Sequence, residues 1–285
     1  MIMDAINNLV EYFGSEARQL RNVNLFRKAL YVYILFTVVQ QIPLMQQLYG
    51  PQSLIVPYTY DSISAESLLN LLSQPGIAPY YYLFFIVQAL CCGLGLFHIF
   101  PRLCALLVWY CTINLSNRVY LSNTGGDLLV NILLFYLIFI SPQQKKNTGQ
   151  YDPIINTFDN TFILACKLQV VLVYAVSAIY KYTQPEWLNG SALYYILNMN
   201  EFTLPLVKQE VVHFPFLSSI CTWIVMVYQS LFPILIFIKG AKRNLIICGI
   251  LVHVGIAVVM GLFNFSLVMI CCYLLFRDID LSSEI

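Results

Sequence analysis

The 285-residue chain is 59% hydrophobic and only 10% charged, with a formal net charge of +1. Soluble domains carry about 25% charged residues, so this deficit, together with long apolar runs, points to a membrane protein rather than a large soluble core. The near-neutral balance excludes nucleic acid and other anionic polymers as electrostatically driven partners.

Residues 1–24 show no signal-peptide pattern and read as a cytoplasmic amphipathic lead-in. Leu9, Val10, Tyr12 and Phe13 would face lipid while Arg18 and Arg21 meet headgroups. Residues 25–277 read as a single transmembrane domain and 278–285 as a short tail. The apolar runs predict spans at about 28–48, 80–100, 103–122, 127–141, 161–181, 217–238, 244–261 and 264–276. The expected fold is therefore an all-α polytopic integral membrane bundle of about eight transmembrane helices. The first span is expected to act as its own targeting signal.

Basic residues set the orientation. Arg18, Arg21, Arg27, Lys28, Arg102, Lys145, Lys146, Lys239, Lys242, Arg243 and Arg277 all fall on one side if there are eight spans. The segment 49–79 has no Lys or Arg, and 182–216 has only Lys208. Both termini are therefore expected in the cytoplasm and both long loops outside. Ser64 is a candidate helix cap in the first loop. Trp187, Tyr194, Tyr195, Phe202, Phe214 and Phe216 make the second an interfacial aromatic belt.

The nine cysteines, at 91, 92, 104, 111, 166, 221, 248, 271 and 272, form no Cys-x-x-Cys pair and lie mostly in apolar runs. They read as packing residues, not as a disulfide framework or zinc site. No His and carboxylate set has metal-ligand spacing, so no metal is expected. Gly93-Leu-Gly95 lies within a span and reads as helix packing, not a nucleotide loop.

Polar groups stand out against this background in three places. The first is Asn114–Asp127, with Arg118, Asn123 and Asp127 around Gly125-Gly126, a pair that permits a positive-φ turn. It reads either as an external turn with an Arg-Asp pair or an Asp cap, or as the wall of a polar pocket. The second is Lys181 at the end of the fifth span, followed by Glu186 and Trp187. A cation near hydrocarbon depth costs a few kcal/mol or more and usually has a partner or a task. A lysine sheltered from water can serve as a base, whereas one reaching to the headgroups is an anchor. The third is His253, with Asn264 and Ser266 beyond it; alone, such a histidine is a packing residue. His98 and His213 have no further support. One outward-opening pocket could gather all three places.

At these residues the chain resembles the vitamin K-dependent γ-carboxylase-like family, whose membrane part is the HTTM domain. Arg102-Leu-Cys leads to the turn Asn123-Thr-Gly-Gly-Asp127 and then Leu-Leu-Val-Asn131. Ser177-Ala-Ile-Tyr-Lys181 through Trp187-Leu-Asn-Gly190 is similar to the family's small-x-x-Lys and Trp-x-x-Gly elements. His253 with Phe265-Ser-Leu-Val-Met269 resembles a histidine and Phe-Ser-x-Val-Met stretch. The resemblance implies that Lys181 is a base acting on a quinone or hydroquinone and that His253 is catalytic. It implies that Arg118, Asn123, Asp127, Glu186, Trp187 and Asn264 bind substrate. The carboxylase's large lumenal domain is expected to have no counterpart, and its turn histidine corresponds to Gly or Asp127 here, so the short bacterial relatives are the better fit. These include membrane proteins of peptide-toxin maturation systems. The implied partners are membrane lipid and a small secreted peptide or a membrane or periplasmic protein. The implied location is the bacterial inner membrane, with the site facing the periplasm or exterior. A non-catalytic subunit or scaffold holding a partner or precursor peptide is the alternative reading. A transporter is the third, although no repeated half supports it.

Overall fold

The computed structural model describes residues 20–56, 65–142, 153–199, 203 and 214–277. Among them there is no strand, and five helical segments are long and apolar enough to cross a membrane: Leu20–Tyr49, Ala78–Leu96, Ile155–Tyr182, Pro215–Leu235 and Gly240–Met260. Two shorter apolar helical segments, Gly125–Phe139 and Phe263–Phe276, accompany them. The protein is an all-α polytopic membrane bundle. Expectations at Leu9, Val10, Tyr12, Phe13, Arg18, Ser64, Lys145, Lys146, Phe202, Lys208 and His213 concern residues outside those described.

The chain forms two compact units, Met1–Cys166 and Lys167–Ile285. In the first, α1 (Leu20–Gln41) buries Val23, Phe26, Leu30 and Ile34, one face of a 3.6-residue repeat. Pro43, which has no N–H to continue the ladder, stands in a 3-10 turn before α2 (Met45–Tyr49). The short α3 (Ala65–Leu69) precedes α4 (Tyr81–Leu96). Gly95 lets the Tyr31 ring lie against the backbone of α4, because any Cβ there would collide with it. The packing role expected at this glycine is thus met.

The turn after α4 is tight. His98 (φ 58°) and Phe100 (φ 43°) both adopt left-handed backbone, a conformation uncommon for side chains of this size. It delivers Pro101 to the first position of α5 (Pro101–Arg118), where a missing N–H costs nothing. α6 (Gly125–Phe139) begins with a capping box between Thr124 and Asp127. Gly125 and Gly126 open that helix without positive φ, so the strained turn their pairing permits is not formed. α7 (Pro153–Tyr182) is one 30-residue helix running through both units.

The second unit holds the C-terminal half of α7, then α8 (Pro185–Leu188), α9 (Ala192–Asn198), α10 (Pro215–Leu235), α11 (Lys239–Met260) and α12 (Phe263–Cys272). On α7 one stripe is buried, with Val170 at 0% and Tyr174 at 2% exposure, while Val176 and Ile179 are 61% and 66% exposed. An apolar stripe this open suits contact with lipid chains. Gly261 (φ 70°) ends α11 in the left-handed conformation, so the chain turns back at once into α12. Gly190 (φ 82°) needs its glycine twice over, for its backbone and because Trp223 and Ser219 occupy the space of any Cβ.

Candidate functional site

Lys181 sits in the last turn of α7 and is half-buried. Its Nζ donates to Ser177 Oγ at 2.8 Å, one turn below, and lies 4.5 Å from the centre of the Trp187 ring. Ser177 in turn donates its hydroxyl proton to Gln229 Oε1 of α10 at 3.1 Å. The serine proton being committed to the glutamine, Ser177 offers the lysine only lone pairs, and Nζ must be the donor. One of the nitrogen's positions is thereby fixed, and among the described residues no acceptor takes the others. Among the described residues no carboxylate pairs with Lys181; Glu186, in the first turn of α8, is exposed. A cation over an aromatic face gains about 0.5–2 kcal/mol, depending on how dry the site is. Trp187 therefore fixes where the amine sits.

Deeper in the same unit is a cluster that pattern reading missed. His253 of α11 is 3% exposed, and its Nε2 lies 2.8 Å from the hydroxyl of Tyr174 on α7. That hydroxyl lies 2.6 Å from the hydroxyl of Tyr273, which is 2.8 Å from that of Tyr228 on α10. Three phenols and one imidazole so form a continuous hydrogen-bonded chain among predominantly apolar helices. Gly249 makes room for it, since a Cβ at this position would run into the Tyr228 and Tyr273 hydroxyls. The Phe265 ring stands edge-on to the histidine at 5.7 Å. His253 Nδ1, Asn264 Oδ1 and Ser266 Oγ are buried and find no hydrogen-bond partner among the described residues. Such groups cost about 1–3 kcal/mol each, and in native proteins they mark water, ligand or catalytic positions.

The signal for the cluster was present but weak. Tyr174, Ser177 and Lys181 stand at i, i+3 and i+7 and share one face of α7. A stripe of hydrogen-bonding side chains along a membrane helix implies polar partners on its neighbours. The sequence could not show which helices those were.

The first unit holds Arg118, Asn123 and Asp127, and there the polar groups are used locally. Arg118 is 1% exposed. It donates from Nε to Tyr49 O at 3.3 Å and from Nη2 to Gly50 O at 2.6 Å, closing the C-terminal end of α2. Asp127 accepts the Thr124 N–H at 2.7 Å and the Thr124 hydroxyl at 2.8 Å. The two ions therefore serve separate helix ends and do not form the Arg-Asp pair that was one expectation. Asn123 donates to Ser116 O at 3.0 Å, tying down the end of α5. Arg27, expected only as an orientation signal, repeats the device: its Nη2 donates to Leu137 O at 3.1 Å and Ile140 O at 2.7 Å at the end of α6. A guanidinium at a helix C-terminus meets both the unpaired carbonyls and the negative end of the dipole.

Arg118, Asn123 and Asp127 thus belong to one unit, and Lys181, Glu186, Trp187, His253 and Asn264 to the other. Among the described residues no group of His, Cys, Asp and Glu is arranged to hold a metal ion.

No family model and no solved structure matches the chain. It is similar to two curated proteins of Bacillus subtilis (strain 168). With the uncharacterized protein YitO it shares 29% identity over 184 residues, 59% of this chain and 58% of YitO. With the sporulation-delaying protein SdpB it shares 26% identity over 194 residues, 62% of this chain and 58% of SdpB. The chain thus spans 58% of the length of each.

Proposed function

We propose that this chain is an inner-membrane component of a bacterial peptide-maturation system, with an HTTM-like membrane core, that binds an amphipathic substrate near Lys181 and uses this amine as a base. The observation that carries the reading is the lysine's setting: a half-buried Nζ with no carboxylate partner among the described residues, held by Ser177 and Trp187. As a neutral amine, Nζ keeps its donor bond to Ser177 and still has a lone pair free to take a substrate proton. After the transfer, the ammonium meets the π face of Trp187, which favours the charged product. Gln229 holds the serine hydroxyl so that it cannot donate to the lysine and occupy that lone pair.

Substrates of this kind have an apolar body and one acidic O–H or N–H. A hydroquinone meets that description, as does a hydrophobic peptide segment that carries an ionisable phenol or thiol. The exposed aromatic and apolar side chains of Tyr182 and Leu188, next to the site in sequence, suit such a body. A bound hydroquinone would supply redox chemistry; the chain's own part is to hold the ring and accept the proton on Nζ. His253 and the tyrosines behind it would serve as a second proton-handling group in the same unit. With the basic helix ends in the cytoplasm, Lys181 faces the exterior. The resemblance to short relatives in toxin maturation supports a peptide as the final target.

The test is deletion of the gene in its host, followed by mass spectrometry of secreted peptides. Loss of a peptide species on deletion, and its return with the wild-type gene, is expected. Identical peptide profiles with and without the gene would refute the reading.

The cation–π contact favours one alternative, in which Lys181 is an anchor and the chain is a non-catalytic scaffold for a partner or precursor. Lys181 variants would then retain full function, whereas loss of Trp187 or of the aromatic Tyr194 and Tyr195 would abolish partner binding.

A further inference from the structure

The first unit contains a surface feature that the Lys181 site does not use. A groove of about 500 Å³ runs beside Leu103 and Leu106 of α5, Phe139 of α6, and Ile155 and Phe158 of α7. Its lining is apolar apart from Arg102, in the first turn of α5. The floor is firm, because Phe139 stacks on Phe162 of α7 with ring centres 4.4 Å apart.

Arg102 is exposed and, among the described residues, makes one hydrogen bond, from Nη2 to Ser141 Oγ at 2.7 Å. Among the described residues nothing takes its other N–H donors, which can serve a ligand. The nearby carboxylate of Asp159 does not take them. Asp159 is 2% exposed and accepts the backbone N–H of Ser141 at 2.9 Å. Ser141 thus stands between the two ions, braced to Asp159 by its amide and to Arg102 by its hydroxyl.

The start of α5, the end of α6 and the start of α7 meet here, so the guanidinium lies at one end of the bundle, where headgroups lie, and the groove lies along the helices, where acyl chains lie. A planar guanidinium binds phosphate through paired N–H donors, and basic pockets between membrane helices hold anionic headgroups. We propose that this groove is a binding site for an anionic phospholipid, with one acyl chain along Leu103, Leu106 and Phe158 and the headgroup phosphate on Arg102. A zwitterionic lipid brings its own cation to the same place, so the site should discriminate by headgroup charge.

The experiment is thermal unfolding of the purified full chain in neutral detergent, with added phosphatidylglycerol, phosphatidylcholine or glycerol 3-phosphate. At saturation, phosphatidylglycerol should raise the midpoint by roughly 5–10 °C, the shift expected for a ligand well above its dissociation constant and a chain of this size. Phosphatidylcholine and glycerol 3-phosphate should give much smaller shifts. Arg102→Gln, and separately Leu106→Trp, which fills the groove, should each remove the preference, while Lys28→Gln should retain it. Equal shifts from both lipids would overturn the proposal. So would a full shift from glycerol 3-phosphate, a preference that survives both variants, or one lost equally in Lys28→Gln.

Discussion

Two buried arginines in the first unit and one lysine in the second give the same expense of a cation in a membrane helix two different outcomes. Arg27 and Arg118, each 1% exposed, are turned onto the carbonyls that end α6 and α2. Most of their bonding goes to helix ends, although Arg27 Nε and Arg118 Nη1 are buried without a hydrogen-bond partner among the described residues. Among the described residues Lys181 is fixed by a single donor bond and a tryptophan face, and nothing else takes up its nitrogen. A cation that closes a helix end is part of the scaffold. One held in place and left open is available to a substrate.

Substitutions separate these roles, and the largest effect belongs to the scaffold. Arg118→Ala leaves the Tyr49 carbonyl buried and unpaired, while Gly50 O keeps the Ser53 N–H, and it empties the space of a 1% exposed side chain; together these should cost about 2–5 kcal/mol. Thermal unfolding in detergent reads this as a large fall in midpoint; an unchanged midpoint would break the contrast with Lys181. Gly249→Ala pushes a methyl into the Tyr228 and Tyr273 hydroxyls and should cost about 1–3 kcal/mol by overpacking, with a change in tyrosine fluorescence. Asp127→Ala removes the capping box of α6 and should cost about 1 kcal/mol, visible as a smaller fall in midpoint. Smallest on stability is Lys181→Met, within about 0.5 kcal/mol of wild type, since one half-buried donor bond is lost while the stem still packs.

The fold was legible because membrane helices announce themselves by length and apolarity. The helices at 81–96, 101–118, 125–139, 215–235 and 239–260 lie near where the apolar runs placed them, whereas α1 begins at Leu20, inside the expected lead-in and well ahead of its run from about 28. The larger differences have local causes. α7 starts at Pro153, well before its apolar run, because a helix can extend through polar residues once its apolar face is packed. The run from 28 to 48 is broken at Pro43, and that after 80 stops at Leu96 because His98 and Phe100 turn the chain.

The candidate site was only partly legible. Lys181 and Trp187 are close in sequence, so their contact could be anticipated. His253 stood out as a polar residue in an apolar helix. Its partners Tyr174, Tyr228 and Tyr273 did not, because tyrosine is common in membrane helices and the three come from separate segments joined only by tertiary packing. Arg118 and Asp127, nine residues apart in sequence, suggested a pair. What decided against it was geometry that the sequence did not show: α2 brings its carbonyl end to Arg118, and Asp127 finds its own cap at Thr124.

The decisive measurement is peptide output from the deletion strain complemented with Lys181→Met, read beside the melting midpoint and membrane abundance of the same variant. A base at Lys181 predicts wild-type abundance and midpoint with the mature peptide absent. Normal peptide output from this variant would contradict the account and leave the lysine as an anchor on Trp187.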